Sequence, residues 1–273
     1  MQRIFWKPRR WRCVWRPGQN RDLECRGVFG GGKGLSGPAL PSLPAWRAFG
    51  PGAAELQGWG PPWGVQPRTA LRVTKGRLVH WKQHLARLSE GAARLGWDIS
   101  WMDEIRVSAE AWVSSAGTAT CRIHLHERAI SIRLESLPEV ISPYHLRPME
   151  HPLGDLRKDE ASAFKGLKGA WDFEVRQIVL ANGADDALLL WPDGSIAETA
   201  LAAVGMQKGQ RMVLPPPEGR VKSIAEAWDL PLWTRSQGLR IEYSPLHLDE
   251  VSGGLLWCMN AVRGVWQAEV VQL

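Results

Sequence analysis

One stretch of the chain, residues 161–205, constrains the fold more than any other. It contains Lys165 and continues into residues 170–180, where the apolar side chains that share one helical face are Trp171, Val175, Ile178 and Val179. The pair Asn182-Gly183 ends this helix, because both residues tolerate the left-handed backbone that a helix C-terminus requires. The apolar run at 187–191 then predicts a strand that is covered on both faces.

A turn and a second apolar strand complete this stretch. Residues 192–195 (PDGS) supply the proline and glycine of a chain reversal. The chain then returns over residues 196–204, which are small and mostly apolar apart from Glu198. A carboxylate in an interior strand is costly unless a cation or a protonated ring nitrogen partners it. The pattern therefore predicts a lysine loop, a helix and two strands, the second strand carrying a buried glutamate.

This stretch resembles the core of the class IV aminotransferases, the fold type IV pyridoxal-phosphate enzymes. The resemblance is carried by Lys165, by residues 183–190 (GADDALLL) and by residues 193–199 (DGSIAET). The family comprises branched-chain and D-amino-acid aminotransferases and 4-amino-4-deoxychorismate lyase. It implies an α/β (α+β) chain with the two-domain architecture of fold type IV, like that of D-amino-acid aminotransferase. It also implies pyridoxal 5′-phosphate as the cofactor.

By this resemblance, Lys165 is the catalytic Schiff-base lysine and Glu198 is the partner of the pyridine nitrogen. The chemistry agrees, because a pyridoxal enzyme needs an amine to hold the cofactor and move a proton. It also needs a carboxylate that keeps the ring protonated. Lys168 is a rival for the lysine role, but Lys165 stands at the family position when residues are counted back from Gly183.

Three further segments resemble the family's phosphate-binding elements. Residues 84–88 (HLARL) match an H-L-x-R-L element whose arginine, here Arg87, grips the cofactor phosphate. An arginine suits this task because it is permanently charged and binds phosphate through two N–H groups. The resemblance adds Ser223 and Ile224 at a helix N-terminus, and Asn260 and Ala261 near the C-terminus. In both segments a hydroxyl that is usual in the family is missing.

Three residues are candidates for the substrate side of the site: Thr69, Arg122 and His124. Residues 64–78 fill the place of the family's first motif but match it only at Gly64, Thr69 and the Lys75-Gly76 turn. Arg122 and His124 lie on one face of the alternating strands at 119–137. In related transaminases a strand in this region binds the substrate carboxylate, but a solvated strand face explains the alternation equally well. His124 and His126 are two residues apart and could both bind a metal ion, but no third ligand is evident in the sequence. No metal is therefore predicted.

The sequence of residues 183–199 resembles that of 4-amino-4-deoxychorismate lyase more than that of the transaminases in the family. We therefore expect an activity that eliminates pyruvate from aminodeoxychorismate and leaves 4-aminobenzoate, a step in folate biosynthesis. A branched-chain or D-amino-acid transaminase is the alternative within the family. A non-catalytic member acting by binding is the alternative from another class, supported by Ala202-Ala203, which replace a pair that normally carries an amide. Retention of Lys165, Glu198 and Arg87 argues against it.

The charge distribution separates a tail from the rest of the chain. The net charge of +6 is carried by residues 1–22, which contain seven Lys/Arg and one Asp; the remaining 251 residues are balanced. Three tryptophans among these arginines are compatible with binding of single-stranded nucleic acid. A poorly ordered extension is the favoured interpretation. Two glycine patterns between residues 27 and 37 have phosphate-loop spacing but lack the strand and helix that a phosphate cradle needs.

We expect four segments: a basic Gly/Pro-rich extension (1–45), a smaller α/β domain (46–137), a linker (138–144) and a larger α/β domain (145–273). The four scattered cysteines indicate a reducing compartment. No apolar run approaches the length of a membrane span, and no secretory signal follows the N-terminus. The expectation is a cytoplasmic homodimer that acts on a small-molecule substrate, with no membrane partner and no nucleic acid.

Overall fold

The computed structural model describes residues 46–56, 65–114, 117–139, 142–167, 169, 171–251 and 254–271. Over these residues the chain has a mixed α/β fold with two sheets, one of five strands and one of eight. The basic extension, the two glycine patterns and Lys168 lie outside the described residues.

The five-stranded sheet is antiparallel and has the order β1-β5-β4-β2-β3. Its strands are β1 (Arg47–Phe49), β2 (Arg68–Thr74), β3 (Arg77–Leu78), β4 (Ala119–His126) and β5 (Ala129–Glu135). Helices α1 (Trp81–Arg94) and α2 (Met102–Ser114) pack on one face. Cys121, Ile123 and Leu125 are fully buried on that face, as their alternation predicts. The opposite face, which includes Arg122 and His124, lines a cavity.

The eight-stranded sheet has the order β11-β10-β9-β12-β13-β6-β7-β8. Its strands are β6 (Tyr144–Glu150), β7 (Asp186–Leu190), β8 (Ile196–Thr199), β9 (Ala203–Lys208), β10 (Arg211–Leu214), β11 (Arg240–Tyr243), β12 (Leu255–Asn260) and β13 (Gly264–Val270). Its helices are α3 (Trp171–Ala181), α4 (Ile224–Trp228), α5 (Leu230–Ser236) and α6 (Leu248–Val251). The pairs β13–β6, β6–β7 and β10–β11 are parallel, and the others are antiparallel.

The predicted helix–strand–turn–strand order of the central stretch is present, with two corrections. Ile178 does not share the buried face of α3 with Val175 and Val179, because its side chain is 47% exposed. The predicted strand at 196–204 is divided into β8 and β9, and β8 lies at the edge of the sheet although it is buried. The division has a local cause: the Thr199 hydroxyl accepts a hydrogen bond from Ala202 N (2.8 Å) and bends the chain at 200–202.

The segment at 96–114 also differs from expectation. The sequence at 96–114 predicts two short helices with Ile105, Val107, Ala111 and Val113 as core candidates, but one helix, α2, forms. Val113 is buried as predicted, whereas Val107 (63% exposed) and Ala111 are exposed. Val107 and Ala111 are four residues apart, so they share one helical face, and that face lines an open groove rather than the core.

The proposed linker lies between the two sheets. The last strand of the first sheet ends at Glu135, and the first strand of the second begins at Tyr144. The division into two domains at residues 138–144 stays a proposal. Among the helices of the described residues, none is long and apolar enough to cross a membrane.

Candidate active site

The residues predicted for the site lie around one cavity of about 460 Å³, which both sheets line. The ten are Thr69, Arg87, Arg122, His124, Lys165, Glu198, Ser223, Ile224, Asn260 and Ala261. They are separated by up to 192 positions in the sequence, so the tertiary fold is what brings them together. Trp46, Phe164 and Trp171 add aromatic surface to the wall of the same cavity.

Lys165 lies on a loop that is fixed to the first sheet. Arg68 N donates to the Lys165 carbonyl (3.1 Å), and Gln66 N donates to the Gly166 carbonyl (3.0 Å). The Lys165 Nζ lies 4.0 Å from the Asp172 Oδ2. Burial lowers the pKa of the Lys165 amine, and the negative charge of Asp172 partly offsets that shift. The loop therefore presents an amine that ionises less readily than a lysine on the surface.

Glu198 lies on β8 and its residue surface is 6% exposed. Val221 N donates to Glu198 Oε1 (3.2 Å), and no other hydrogen bond to this carboxylate is present among the described residues. Burial raises the pKa of Glu198 to about 7, although the nearby Arg220 charge lowers it. A buried carboxylate with spare acceptor capacity is suited to accept a hydrogen bond from a ring nitrogen.

The segment that delivers the Val221 N–H is held by a buried ion pair. Arg220 donates from Nη1 to Glu226 Oε2 (3.0 Å) and from Nη2 to Glu226 Oε1 (3.2 Å). The same guanidinium donates to the carbonyls of Pro215 (2.9 Å) and Pro216 (2.8 Å). Because both charges are hydrogen-bonded, burying the pair does not leave an unpaired ion.

Arg87 reaches the cavity from α1 and donates to the Lys222 carbonyl. Burial lowers the pKa of Arg87 to about 10, against the opposing charges of Glu198 and Glu90. Ser223 caps α4, and its hydroxyl accepts from Glu226 N (3.2 Å). Arg87 and the start of α4 therefore lie at one part of the cavity wall, where an anion would meet a guanidinium and backbone N–H groups.

Asn260 shapes the turn between β12 and β13. Its Oδ1 accepts from Val262 N (3.0 Å) and Arg263 N (2.8 Å), and its Nδ2 donates to the Leu201 carbonyl (3.3 Å). These bonds occupy the side chain and fix the backbone of Ala261 beside the cavity. Asn260 thus positions Ala261 and ties it to the bend at 200–202.

The predicted substrate residues have partners of their own. The Thr69 hydroxyl lies 2.6 Å from His84 Nδ1, and Arg122 Nε donates to Glu135 Oε2 (2.8 Å). Burial and surrounding arginines lower the pKa of His124 to about 3, so its ring is neutral at pH 7. The ring packs edge-on against Trp46, with centroids 4.8 Å apart. His84 is neutral for the same reason, since burial lowers its pKa to about 3.

Sequence reasoning missed two residues of the site, Arg68 and Asp172. Arg68 Nη2 donates both to Asp172 Oδ1 and to the Gly169 carbonyl (2.9 Å). The two side chains are 104 positions apart, so no local pattern relates them. The available signal was Asp172 alone, an acidic residue in the first turn of the helix that follows Lys165. Among the described residues no cluster of three or more His, Cys, Asp or Glu side chains is placed to hold a metal.

Comparison with known families places this site in a class. A family profile described as amino-transferase class IV matches residues 69–271. The chain belongs to the class IV aminotransferase family, whose enzymes use pyridoxal phosphate. The predicted family, enzyme class and cofactor are thereby confirmed, and the roles of individual site residues stay predictions. Comparison with curated proteins found no match.

Solved structures with the same fold include fold type IV enzymes. The fold IV transaminase CpuTA1 from Curtobacterium pusillum is 17% identical with a TM-score of 0.62, over 75% of this chain and 78% of that one. A hypothetical aminotransferase from Mycobacterium tuberculosis in its PLP-bound form is 17% identical with a TM-score of 0.66, over 86% and 87%. A candidate 4-amino-4-deoxychorismate lyase is 19% identical with a TM-score of 0.64, over 79% and 86%. At these identities the likeness confirms the predicted fold.

The residues of the cavity fit pyridoxal phosphate. An amine, a buried carboxylate with spare acceptor capacity and a half-buried guanidinium line one cavity. These groups match the aldehyde, the ring nitrogen and the phosphate of the cofactor respectively. Lys165, Glu198 and Arg87 are therefore the side chains that would hold it, and Ile224 and Ala261 line the same cavity.

Proposed function

We propose that this chain is a pyridoxal-phosphate-dependent lyase of the aminodeoxychorismate lyase type, which eliminates pyruvate from its substrate and leaves 4-aminobenzoate. The observation that supports it best is the cavity itself, where Lys165, Glu198 and Arg87 meet. Bound pyridoxal phosphate supplies the electron sink for charge that develops at the substrate α-carbon. The activity would place the protein in folate biosynthesis.

The protein groups divide the work among them. Lys165 Nζ holds the cofactor and carries the proton at the substrate α-carbon, a role favoured by an amine whose pKa is lowered by burial. Glu198 accepts a hydrogen bond at the ring nitrogen, and Arg87 with Ser223, Ile224, Asn260 and Ala261 holds or frames the phosphate. Thr69, Arg122 and His124 face the substrate. Trp46, Phe164 and Trp171 add apolar surface beside these charges.

The charge of the cavity favours the lyase over a branched-chain transaminase. Among the described residues, seven basic side chains line it (Arg68, Arg87, Arg122, Arg133, Lys165, Arg176 and Arg263), against Asp172 and Glu198 in the wall and Glu135 behind it, which pairs with Arg122 and Arg133. The cofactor phosphate neutralises part of this excess. A substrate with two carboxylates, such as aminodeoxychorismate, matches the remainder better than an amino acid with an aliphatic side chain.

The experiment that tests this proposal compares two reactions of the purified protein with pyridoxal phosphate. Aminodeoxychorismate is supplied, and pyruvate and 4-aminobenzoate are measured without any added keto acid. In parallel, branched-chain and D-amino acids are supplied with a keto-acid acceptor, and the new keto acid is measured. Equal yields of pyruvate and 4-aminobenzoate, lost in Lys165→Ala, support the lyase.

The other outcomes identify the alternatives. A new keto acid that forms only when donor and acceptor are both present indicates the transaminase. A protein that binds pyridoxal phosphate but turns over neither substrate indicates the non-catalytic member. Attachment of the cofactor is followed by its visible absorption and by borohydride reduction with peptide mapping, which also separates Lys165 from Lys168.

We propose in addition that the enzyme is a cytoplasmic homodimer without a nucleic-acid partner. The described cysteines Cys121 and Cys258 are free and buried, which is compatible with a reducing compartment. Light scattering after size exclusion measures the mass, and a monomer at working concentration would contradict the dimer. Binding of single-stranded DNA or RNA over a salt series tests the basic extension, with residues 1–45 deleted as the control.

A further inference from the structure

We infer that Asp172 is a positioning residue for the Lys165 amine, fixed in turn by Arg68. The geometry points to this role because the Asp172 carboxylate divides its two oxygens between the two cations. Oδ1 accepts from Arg68 Nη2, and Oδ2 lies 4.0 Å from Lys165 Nζ. The inference rests on the proposed role of Lys165, but its test does not require the cofactor.

The Asp172 carboxylate is well placed to act as a fixed charge. Its side chain is 13% exposed, and that of Arg68 is 12% exposed, so water screens their interaction with Lys165 weakly. Arg68 is anchored a second time by its bond to the Gly169 carbonyl (2.9 Å). The carboxylate therefore cannot turn toward Lys165 or away from it without breaking the bond to Arg68.

The same strand holds the backbone of the lysine. Arg68 N donates to the Lys165 carbonyl (3.1 Å), so one residue of β2 fixes both the lysine main chain and the partner of its side chain. The backbone of Lys165 and the carboxylate beside its Nζ are thus both held by β2. An amine that must return to the same place after each exchange with a substrate amine benefits from such a frame.

Asp172 also opposes the other charges that face the amine. Arg68 on β2, Arg87 on α1 and Arg122 on β4 all disfavour a second positive charge, as does burial, and Glu198 on β8 lies on the same cavity. Asp172 is the largest influence in the other direction. Without it, Lys165 would remain unprotonated over a wider pH range and would carry a proton less readily.

The test measures the protonation of Lys165 directly in the cofactor-free protein. Acetic anhydride, a small neutral reagent, is applied in trace amounts over a pH series, and the acetylated Lys165 peptide is quantified by mass spectrometry. In Asp172→Asn the midpoint pH of Lys165 labelling should fall by about 1 unit, because an opposite charge at this distance shifts a pKa by about 1–3 units. The charge-retaining Asp172→Glu should stay closer to the wild type than Asp172→Asn does.

A matched control removes one negative charge from the same helix. Glu174→Gln lies two residues along α3 on the exposed face, and its Lys165 midpoint should equal that of the wild type. Equal midpoints for Asp172→Asn and Glu174→Gln would overturn the inference and leave Asp172 as a structural partner of Arg68. So would equal shifts in Asp172→Asn and Asp172→Glu, because the shift would then not depend on whether a carboxylate charge is present at this position.

A second pair of variants covers the case in which Asp172→Asn fails to fold with Arg68 left unpaired. Arg68→Gln is compared with the double variant Arg68→Gln, Asp172→Asn, in which two amides replace the ion pair. The difference between these two midpoints isolates the charge of Asp172, and the same downward shift of about 1 unit is expected. No difference overturns the inference. Because labelling uses neither cofactor nor substrate, failure of the proposed lyase activity leaves this result unaffected.

Discussion

Glu198 combines a site role with a cost to stability. Its carboxyl group is buried beside one backbone N–H and a nearby arginine, and its pKa is raised from 4.5 to about 7 by burial. Because the folded value is the higher one, folding favours the protonated form. The stabilisation that this pKa difference gives the folded state is fully present below pH 4.5. It is lost as the pH rises through 7, where the buried carboxyl group ionises.

Glu198→Gln should therefore stabilise the cofactor-free protein at alkaline pH while impairing the holoenzyme. Relative to the wild type, its free energy of unfolding should rise by on the order of 3 kcal/mol between pH 4.5 and pH 8. Urea unfolding at both pH values measures this change, with Glu174→Gln as the surface control. If the free energy of unfolding changed with pH in the same way for Glu198→Gln and the wild type, burial would not raise the pKa of Glu198. Turnover should fall in the variant, because a neutral amide no longer keeps a ring nitrogen protonated.

Arg87 is proposed to bind the cofactor phosphate, and comparison of two ligands separates this role from a general loss of cofactor binding. In Arg87→Met the affinity for pyridoxal phosphate should fall by about 10- to 100-fold, since hydrogen bonds to charged groups contribute about 1.5–3 kcal/mol. The affinity for pyridoxal, which lacks the phosphate, should not change. Both affinities are measured by absorption titration. Arg94→Met on the same helix, whose side chain is 41% exposed, should leave both unchanged; an equal loss for both ligands in Arg87→Met would place the arginine elsewhere.

At the scale of elements, the lysine loop depends on one glycine. Gly166 has φ +96, and a Cβ there would lie 1.9 Å from the Gln66 carbonyl oxygen. That contact is part of the attachment of the loop to the start of β2, because Gln66 N donates to the Gly166 carbonyl. A side chain would have to displace the backbone of one segment or the other, and Lys165 is the adjacent residue.

Gly166→Ala should destabilise the protein by about 3 kcal/mol or more, adding a steric clash to the cost of positive φ, and should weaken cofactor attachment at Lys165. Gly169→Ala is the matched control in the same loop. It also has positive φ (+84), but nothing lies within 4 Å of its Cβ position, so a cost near 1 kcal/mol is expected. Urea unfolding and borohydride trapping measure the two effects. Equal costs at both positions would show that the approach to Gln66 is not limiting.

At the scale of the whole molecule, the two sheets meet along the cavity through hydrogen bonds from Arg72 to backbone carbonyls. Arg72 N donates to the Ala261 carbonyl (3.1 Å) and Arg72 Nε to the Val262 carbonyl (2.7 Å). Together with the bonds from Gln66 and Arg68 to the lysine loop, they connect β2 with the second sheet. A cofactor that contacts Arg87, Lys165 and Glu198 would add to these connections.

Pyridoxal phosphate should consequently raise the melting temperature as well as enable turnover. At a free concentration 100-fold above its Kd, a ligand that binds only the folded state contributes about 2.7 kcal/mol. For a domain of this size that corresponds to a rise in Tm of about 5–10 °C. Differential scanning fluorimetry measures it, with pyridoxine, which has no aldehyde and no phosphate, as the control ligand. The rise should be smaller in Lys165→Ala, and an identical rise there would argue against attachment at Lys165.

Part of the site could be predicted because its signals are local. Lys165, Glu198 and Arg87 each stand in a short run of residues with a recognisable pattern, and the helix at 171–181 and the strand at 186–190 follow from periodicity and glycine stops. The strand at 196–204 was wrong in extent because the Thr199 side chain competes with the ladder for the backbone of Ala202. Ile178 was misplaced because three-residue spacing alone does not say how wide a buried stripe is.

The amino-acid sequence by itself determined the chemical inventory of this protein and the order of its elements. Local hydrogen bonding, side-chain periodicity and turn residues act over a few positions, and the sequence displays them directly. The tertiary structure alone decided which charges face one another: Arg68 with Asp172, Asp172 with Lys165, and Arg220 beside Glu198. Those pairings depend on strand order, which brings together residues that are distant in the sequence. They also depend on burial, which lowers the effective dielectric around the charges.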